Sequence, residues 1–153
     1  MRTIKTLCDE DATVAIDAIR RALVAQSKAA VIAVVDAHGE TLGLLRMKGA
    51  ALSSVAVATN KAFTSARLRR PSGEVGRRSR DPAAGFDIAY YGDPRYLGWG
   101  GGLPVIVDGE VVGAVAVSGL TDAEDKALSA IGIAAIVGGH GPAVPAGATE
   151  TTR

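Results

Sequence analysis

The sequence is poor in the residue types on which several common kinds of site depend. A single cysteine, Cys8, excludes an internal disulfide and any metal site built from several thiolates. Two histidines, His38 and His140, stand far apart, and neither has a second histidine or cysteine at metal-ligand spacing, so we predict no metal site. Seventeen Lys and Arg against sixteen Asp and Glu leave a net charge of +1, which argues against nucleic-acid binding.

Long apolar runs are also missing. No segment approaches the roughly 18 consecutive apolar residues of a transmembrane helix, and acidic residues at 9–11 interrupt the stretch where a signal peptide has its apolar core. We therefore expect a cytoplasmic protein with no membrane segment. The 153 residues have the length of one domain, and with 4% aromatic residues the core must be aliphatic. We expect a single domain over residues 1–138 and a disordered tail over residues 139–153.

Apolar periodicity predicts three helices. The first spans about residues 7–26, with Thr6 as its cap. The second spans about residues 53–70 and ends at the following proline. The third begins at Thr121, whose spacing to Glu124 is that of a capping box.

Turn dipeptides predict two hairpins between these helices. Valine-rich and leucine-rich runs surround the pair His38-Gly39, and "LPVIV" and "EVVGAVAVSG" surround Asp108-Gly109. Gly113 lies in mid-strand, which indicates a close approach by another backbone or a ligand. Residues 71–99 break every periodicity but hold most of the aromatic residues, so we expect a long ordered loop. Together these elements predict an α+β sandwich, with helices packed on an antiparallel sheet of about five strands.

A basic segment is the first candidate for a site. It has two interpretations: a solvated helix end followed by a loop, or an anion site in which arginines bind carboxylates. Lys61 differs from the others because it lies in a helix of small residues, where an inward-facing lysine would be desolvated and would need a partner. The cationic residues of this segment are Lys61, Arg67, Arg69, Arg70, Arg77, Arg78 and Arg80.

A stripe of small residues on the second helix favours assembly. Val55, Ala58, Ala62 and Ala66 share one face, and such a face gains most when another backbone packs close to it. We therefore expect a homo-oligomer with a pocket near a subunit boundary that includes Lys61, Thr64 and residues of the loop 86–99. On this interpretation Lys61→Ala leaves the fold intact and weakens ligand binding.

Four motifs of the chain resemble one known family. The segments "VVDAHGETLGLLRM", "NKAFTSAR", "GGLPVIVDGEVVGAVAVSG" and "AEDKAL" are similar to the GlcG/HbpS-like family, also called the haem-degrading domain family, over about residues 5–138. The resemblance implies a profilin-like α+β sandwich, assembly into homo-oligomers, and haem or tetrapyrrole binding in some members. Positions that match the family pattern are Asp36, Gly39, Arg46, Lys61, Thr64, Arg67, Gly101, Gly102, Pro104, Gly113, Ser118, Gly119 and Asp125.

The residues and the resemblance leave three functions open. The first is binding of haem or a similar planar carboxylic acid, with His38, Tyr90 or Tyr91 as a possible ligand to haem iron. The second is an enzyme of isomerase, hydratase or lyase type that acts on a small carboxylate, with Lys61 or Asp36 as the acid or base. The third is an assembly or adaptor domain without a ligand. The candidate ligand-binding residues are Arg46, Thr64, Arg67, Tyr90, Tyr91, Trp99, Gly101, Gly102, Ser118 and Asp125.

Overall fold

Two hairpins form one four-stranded antiparallel sheet in the computed structural model, which describes residues 1–139. The strands are β1 (Val31–Asp36), β2 (Thr41–Arg46), β3 (Gly102–Val107) and β4 (Glu110–Ser118), in the order β2-β1-β4-β3. Both turn dipeptides lie where the sequence predicts them. The α+β class is confirmed, and the prediction of about five strands exceeds the observed number by one.

Helices cover both faces of the sheet. Helices α1 (Asp9–Ala25) and α4 (Asp122–Gly139) pack side by side on one face, against the alternate residues of β1 and β4 that include Ile32 and Val115. Helix α2 (Ser53–Leu68) covers the other face. Among the described residues, no helix combines the length and apolar character needed to cross a bilayer. The expected tail falls almost entirely on residues 140–153, which lie outside the described part of the chain.

The small-residue stripe of α2 packs against the protein's own sheet. Ala58, Ala62 and Ala66 are buried against the α2-facing side chains of β1 and β4. Because the alanines are short, α2 approaches the sheet closely along its length. The expectation that this stripe faces a second subunit is therefore wrong, and the stripe provides no argument for assembly.

The segment from residue 71 to 99 is not a continuous loop. It contains a two-turn helix, α3 (Ser72–Ser79), and a short 3-10 helix at Ile88–Tyr91. The prediction failed because α3 is rich in glycine and arginine and has no apolar period. The helix buries one apolar side chain, Val75, and its backbone approaches another segment closely, since a Cβ added to Gly76 would lie 2.0 Å from the carbonyl oxygen of Gly98.

The cap of α1 also differs from the prediction. The helix begins at Asp9, and the backbone N–H of Cys8 donates to Oδ2 of Asp11 at 2.9 Å. Thr6 lies before the helix, where its hydroxyl oxygen accepts the backbone N–H of Ala37 at 3.0 Å. Thr6 therefore stabilises the β1–β2 turn rather than the helix end.

The capping box of α4 is confirmed and carries a prediction for acid stability. The backbone N–H of Glu124 donates to the Thr121 hydroxyl at 3.2 Å, and the Lys28 ammonium donates to the Glu124 carboxylate at 2.5 Å. The Lys28 hydrogen bond, followed by those from Thr121, lowers the pKa of Glu124 from 4.5 to about 2.

Because this folded-state pKa is depressed, the stabilisation is complete above about pH 4.5 and is lost as the pH falls toward 2. We expect Glu124→Gln, which keeps a capping side chain at this position, to flatten the decrease in unfolding free energy over this range. Urea denaturation at a series of pH values measures the unfolding free energy of each variant and its dependence on pH. The control is Glu110→Gln at the exposed start of β4, and an equal flattening in both variants would contradict the assignment.

Candidate functional site

A buried ion pair joins α2 to the start of α4 across one end of the sheet. The Lys61 ammonium donates to Oδ2 of Asp125 at 3.0 Å and to the carbonyl oxygen of Val117 at 3.1 Å. Oδ1 of Asp125 accepts the backbone N–H of Leu120 at 3.2 Å. The two charged residues are only 2% and 1% exposed. The prediction that an inward-facing Lys61 needs a partner is confirmed.

The pair changes the expected role of Lys61. Burial raises the pKa of the Asp125 carboxyl, and the hydrogen bond from Lys61 opposes this shift. The lysine charge is therefore balanced within the chain. Loss of Lys61 would leave Asp125 buried without a counter-charge, so the expectation that Lys61→Ala leaves the fold intact does not fit this geometry.

A glycine makes room for the lysine tip. Gly101 has φ +125°, and a Cβ at this position would lie 2.9 Å from Nζ of Lys61 and 2.8 Å from the carbonyl oxygen of Val117. Its own carbonyl oxygen accepts the hydroxyl of Ser129 at 2.6 Å. Gly102 likewise lies against α2, where a Cβ would be 2.5 Å from the carbonyl oxygen of Lys61. The predicted ligand-binding glycines thus act here as packing positions around the ion pair.

A cavity of about 350 Å³ opens beside the ion pair, between the starts of α2 and α4. Ser54 and Ser118 line it at 6% and 5% exposure, and neither hydroxyl has a hydrogen-bond partner within residues 1–139. Trp99 lies at its rim with 62% exposure. We call this the α2–α4 cavity; its lining residues are Ser53, Ser54, Val57, Lys61, Trp99, Ser118, Gly119, Leu120, Asp122 and Asp125.

The acid or base candidates Lys61 and Asp36 are far apart. In the sheet, Val31 pairs with Ser118 at the cavity end of β1, whereas Asp36 lies at the opposite end of that strand. The Asp36 carboxylate accepts the backbone N–H groups of His38 at 2.8 Å and Glu40 at 3.0 Å, so it stabilises the hairpin turn. The two side chains therefore do not share a site within one chain.

Two further candidates take structural positions. Thr64 is fully buried, and its hydroxyl donates to the carbonyl oxygen of Arg95 at 3.4 Å and accepts the N–H of Leu97 at 3.0 Å. These two hydrogen bonds hold residues 95–97 against α2. Arg46 pairs with Val31 in the sheet register, which places it at the cavity end. It is exposed and does not line the α2–α4 cavity.

The basic segment divides among several surroundings. Arg67 donates to the carbonyl oxygen of His38 and lies 3.8 Å from the Glu40 carboxylate, while Arg70 pairs with Glu74 at 3.4 Å. The basic segment is therefore neither a solvated surface throughout nor a single anion site. A separate cavity of about 330 Å³ is lined by Arg77, Arg80 and Lys126 together with glycines at 73, 98 and 100–102.

Aromatic side chains form an exposed surface on the opposite side of α3 from the glycines. Tyr90 is 84% and Tyr91 44% exposed, and with Phe86 they line an open depression of about 250 Å³. The rings of Phe86 and Tyr91 meet edge to face at 5.8 Å, and the Tyr91 ring lies 4.8 Å from that of Tyr96. The Tyr96 ring in turn contacts the buried Phe63 ring at 5.0 Å, tilted by 60°. We call Phe86, Tyr90 and Tyr91 the aromatic surface.

Cations adjoin the aromatic surface. A small cavity of about 140 Å³ is lined by Phe86 and Tyr91 together with Arg70, Arg78, Leu68 and Val75. Trp99 belongs to the α2–α4 cavity instead, so the structure separates it from the two tyrosines with which the sequence grouped it.

Sequence reasoning missed several residues of both sites. Ser54 reads as part of a helix start, Asp122 as a first-turn acid, and Phe86 as one of many loop aromatics. The available signal for Ser54 was its position one residue inside the start of α2. No side chain caps this helix end, so the Ser54 hydroxyl is not used in a cap and is available to a cavity. No local signal connects Phe86 to Arg70 and Arg78, because α3 brings them together.

Two curated proteins are similar to this chain. A 15.0 kDa protein in the dhaT–dhaS intergenic region of Citrobacter freundii is 38% identical over 99 residues, which cover 65% of this chain and 70% of that protein. The corrinoid adenosyltransferase PduO of Salmonella typhimurium strain LT2 is 31% identical over 111 residues, or 72% of this chain. The match spans only 33% of PduO.

Solved structures share the fold. Klebsiella pneumoniae protein ORFY superposes with a TM-score of 0.82 at 29% identity, covering 90% of this chain and 94% of that one. A crystal structure of a PduOC–haem complex superposes with a TM-score of 0.77 at 25% identity, covering 85% and 94%. The family model described as haem degrading protein HbpS-like matches residues 7–134. Because this match covers most of the described residues, the chain belongs to the HbpS-like family.

Proposed function

We propose that the protein binds haem or a related tetrapyrrole, and that it does so at the aromatic surface. The observation that carries this proposal is the exposure of Tyr90 and Tyr91, at 84% and 44%, beside two arginines that line a small cavity together with Phe86. These residues line one depression with Phe86, and a contiguous exposed apolar patch on a folded domain indicates a binding surface. The family description and the PduOC–haem complex support the choice of ligand.

The chemistry of the residues fits a planar dicarboxylate. The rings of Phe86 and Tyr91 offer an apolar surface, and Arg70 and Arg78 can bind carboxylates through planar two-pronged donors. A tyrosine phenolate is an established ligand of haem iron, and Tyr90 and Tyr91 both present phenols there. Bound haem would supply redox-active iron, and the residues named here would hold and orient the macrocycle.

His38 is the alternative ligand for iron, but its surroundings differ. The cavity beside it, of about 210 Å³, is lined mostly by polar side chains, including Arg2, Lys5 and Arg69. No aromatic residue is among the lining residues of that cavity. A macrocycle at His38 would therefore lack the apolar contact that the aromatic surface offers.

The size of the cavities supports binding at an open surface. The cavities named above, lined by residues 1–139, measure between about 140 and 350 Å³, at or below the low end of the ~300–1,000 Å³ usual for ligand pockets. A macrocycle on the aromatic surface would keep one face in water. A second copy of the chain covering that face would bury it, so we propose that ligand binding and homo-oligomer formation are coupled.

A haem titration tests the ligand and its position. We expect saturable binding of haemin with a shifted Soret band, and a loss of affinity of at least about tenfold in Tyr91→Phe or Tyr90→Phe, whichever phenol ligates iron. Arg78→Gln should weaken binding by roughly tenfold through one lost charge-assisted contact. Light scattering with and without haemin measures the coupled assembly.

The control is Trp99→Phe, an aromatic substitution outside the aromatic surface. It should leave the Soret shift unchanged. Absence of a saturable Soret shift in the wild-type protein would refute haem binding. If binding persists in both tyrosine variants and disappears in His38→Ala, the ligand lies at the β1–β2 turn instead.

A further inference from the structure

The α2–α4 cavity contains polar groups that the fold leaves without partners. An ammonium group has three N–H donors, and Lys61 uses two of them within the chain. The Ser54 and Ser118 hydroxyls, both more than nine-tenths buried, have no partner within residues 1–139. Neither serine hydroxyl is closed off from the cavity, since Oγ of Ser65 is the buried side-chain polar atom without a partner among the described residues. The two hydroxyls and the remaining Lys61 N–H therefore offer three free donors to a molecule bound in this cavity of about 350 Å³.

The charges around this cavity argue against an anionic ligand. Lys61 contributes one positive charge, and Asp125 and Asp122 contribute two negative charges. A carboxylate or phosphate would meet two carboxylates for one ammonium that is already paired. A neutral ligand avoids this repulsion and places no second cation beside the Lys61 ammonium.

The hydrogen-bonding groups indicate hydroxyls on that ligand. Lys61 can only donate, the Asp122 carboxylate can only accept, and the two serines can do either. A ligand hydroxyl also donates and accepts, so it can satisfy both kinds of group. Asp122 already accepts the backbone N–H of Gly100 at 3.2 Å with one oxygen, which holds the carboxylate in place at the cavity edge.

Trp99 adds an apolar surface at the rim. The residue is 62% exposed although its backbone is held in place, since the carbonyl oxygen of Trp99 accepts the Ser72 hydroxyl at 2.6 Å. The face of an aromatic ring carries partial negative charge and attracts the C–H edges of a molecule placed over it. A polyol has a row of hydroxyls and a row of C–H groups, which matches a polar cavity with an aromatic rim.

We propose that the α2–α4 cavity binds a small neutral polyhydroxyl compound, which is a second site distinct from the aromatic surface. Lys61, Ser54 and Ser118 donate to its hydroxyls, Asp122 accepts from them, and Trp99 packs against its C–H groups. Lys61 thereby serves two purposes, because it stabilises the fold through Asp125 and directs its remaining N–H to the ligand. This inference does not depend on the proposed haem site.

Fluorescence and calorimetry test this inference on the whole chain. Trp99 is the single tryptophan, so its emission reports on the cavity rim. The probes are erythritol, xylitol and D-ribose, with succinate as a charged compound of similar size. We expect saturable changes in Trp99 emission and saturable heats with at least one polyol, and none with succinate. Ser54→Ala and Ser118→Ala should each raise its Kd about three- to tenfold.

The matched control is Ser65→Ala. Ser65 lies on the same helix and is also buried without a partner among the described residues, but it faces Gly102 rather than the cavity. This variant should bind the polyol as the wild-type protein does. Saturable binding of succinate alone, no saturable binding of any polyol, or equal weakening by all three serine variants would each overturn the inference. Haemin binding has a separate readout in the Soret band, so the two proposals fail independently.

Discussion

Replacing Lys61 with methionine is expected to lower the free energy of unfolding by about 3–5 kcal/mol. Methionine keeps much of the volume of the lysine stem, so little of this loss comes from a cavity. The loss arises because Asp125, 1% exposed, would keep its charge without the ammonium 3.0 Å away or would have to bind a proton. Urea denaturation at pH 7, followed by circular dichroism, measures the change.

A double-variant cycle separates the ion pair from other effects. Asp125→Asn keeps the acceptor for the N–H of Leu120 and removes the charge. It should cost a similar amount alone, because Lys61 then lacks its counter-charge. Lys61→Met combined with Asp125→Asn should be more stable than the sum of the single losses predicts. Additive losses would contradict the assignment of the pair as one coupled unit.

The hairpins were predictable because each is specified by adjacent residues. Asp108-Gly109 needs positive φ at both positions, which the structure shows at 50° and 77°. Gly39, with φ +88°, has the same role in the other turn. The α4 start was predictable for the same reason, since Thr121 and Glu124 form a contact within one helical turn.

The buried ion pair and helix α3 could not be predicted in this way, because they depend on contacts between residues that are distant in the sequence. Lys61 and Asp125 are 64 positions apart, and they meet because α2 and α4 lie on opposite faces of the sheet at the same end. The sequence indicated that Lys61 needs a partner, and the family pattern included Asp125. Neither observation predicted that these two residues form an ion pair. Helix α3 was missed because it has a single buried apolar side chain, Val75, and because the close packing of Gly76 against Gly98 leaves no apolar pattern in the sequence.

The predicted use of the α2 alanines shows the same limit. A stripe of small residues indicates a close neighbour but not which neighbour it is. Ala58, Ala62 and Ala66 meet Ala114 and Ala116 of the same chain, so the stripe is fully used within the fold. The stripe therefore does not support the proposed assembly, for which the exposed tyrosines are the surface that we propose.

The second large effect is expected at Gly113, where alanine should lower the free energy of unfolding by about 3 kcal/mol or more. A Cβ there would lie 2.4 Å from the carbonyl oxygen of Val35 and 2.6 Å from Cδ1 of Leu7. The carbonyl belongs to the paired strand β1, so relief requires both separating two central strands and displacing the Leu7 side chain. Urea denaturation and hydrogen exchange of the β1–β4 amides measure the global and local changes.

Two other glycines give a graded control for Gly113. A Cβ at Gly132 would meet the Ile19 side chain at 2.6 Å, and because that chain end is flexible the loss should be smaller. A Cβ at Gly138 would meet nothing within 4 Å, so alanine there should be neutral or stabilise α4 by up to about 1 kcal/mol. From most to least stable, the expected order of the variants is therefore Gly138→Ala, Gly132→Ala and Gly113→Ala. If Gly113→Ala were as stable as Gly138→Ala, the close approach of β1 to β4 at this position could not be what requires glycine.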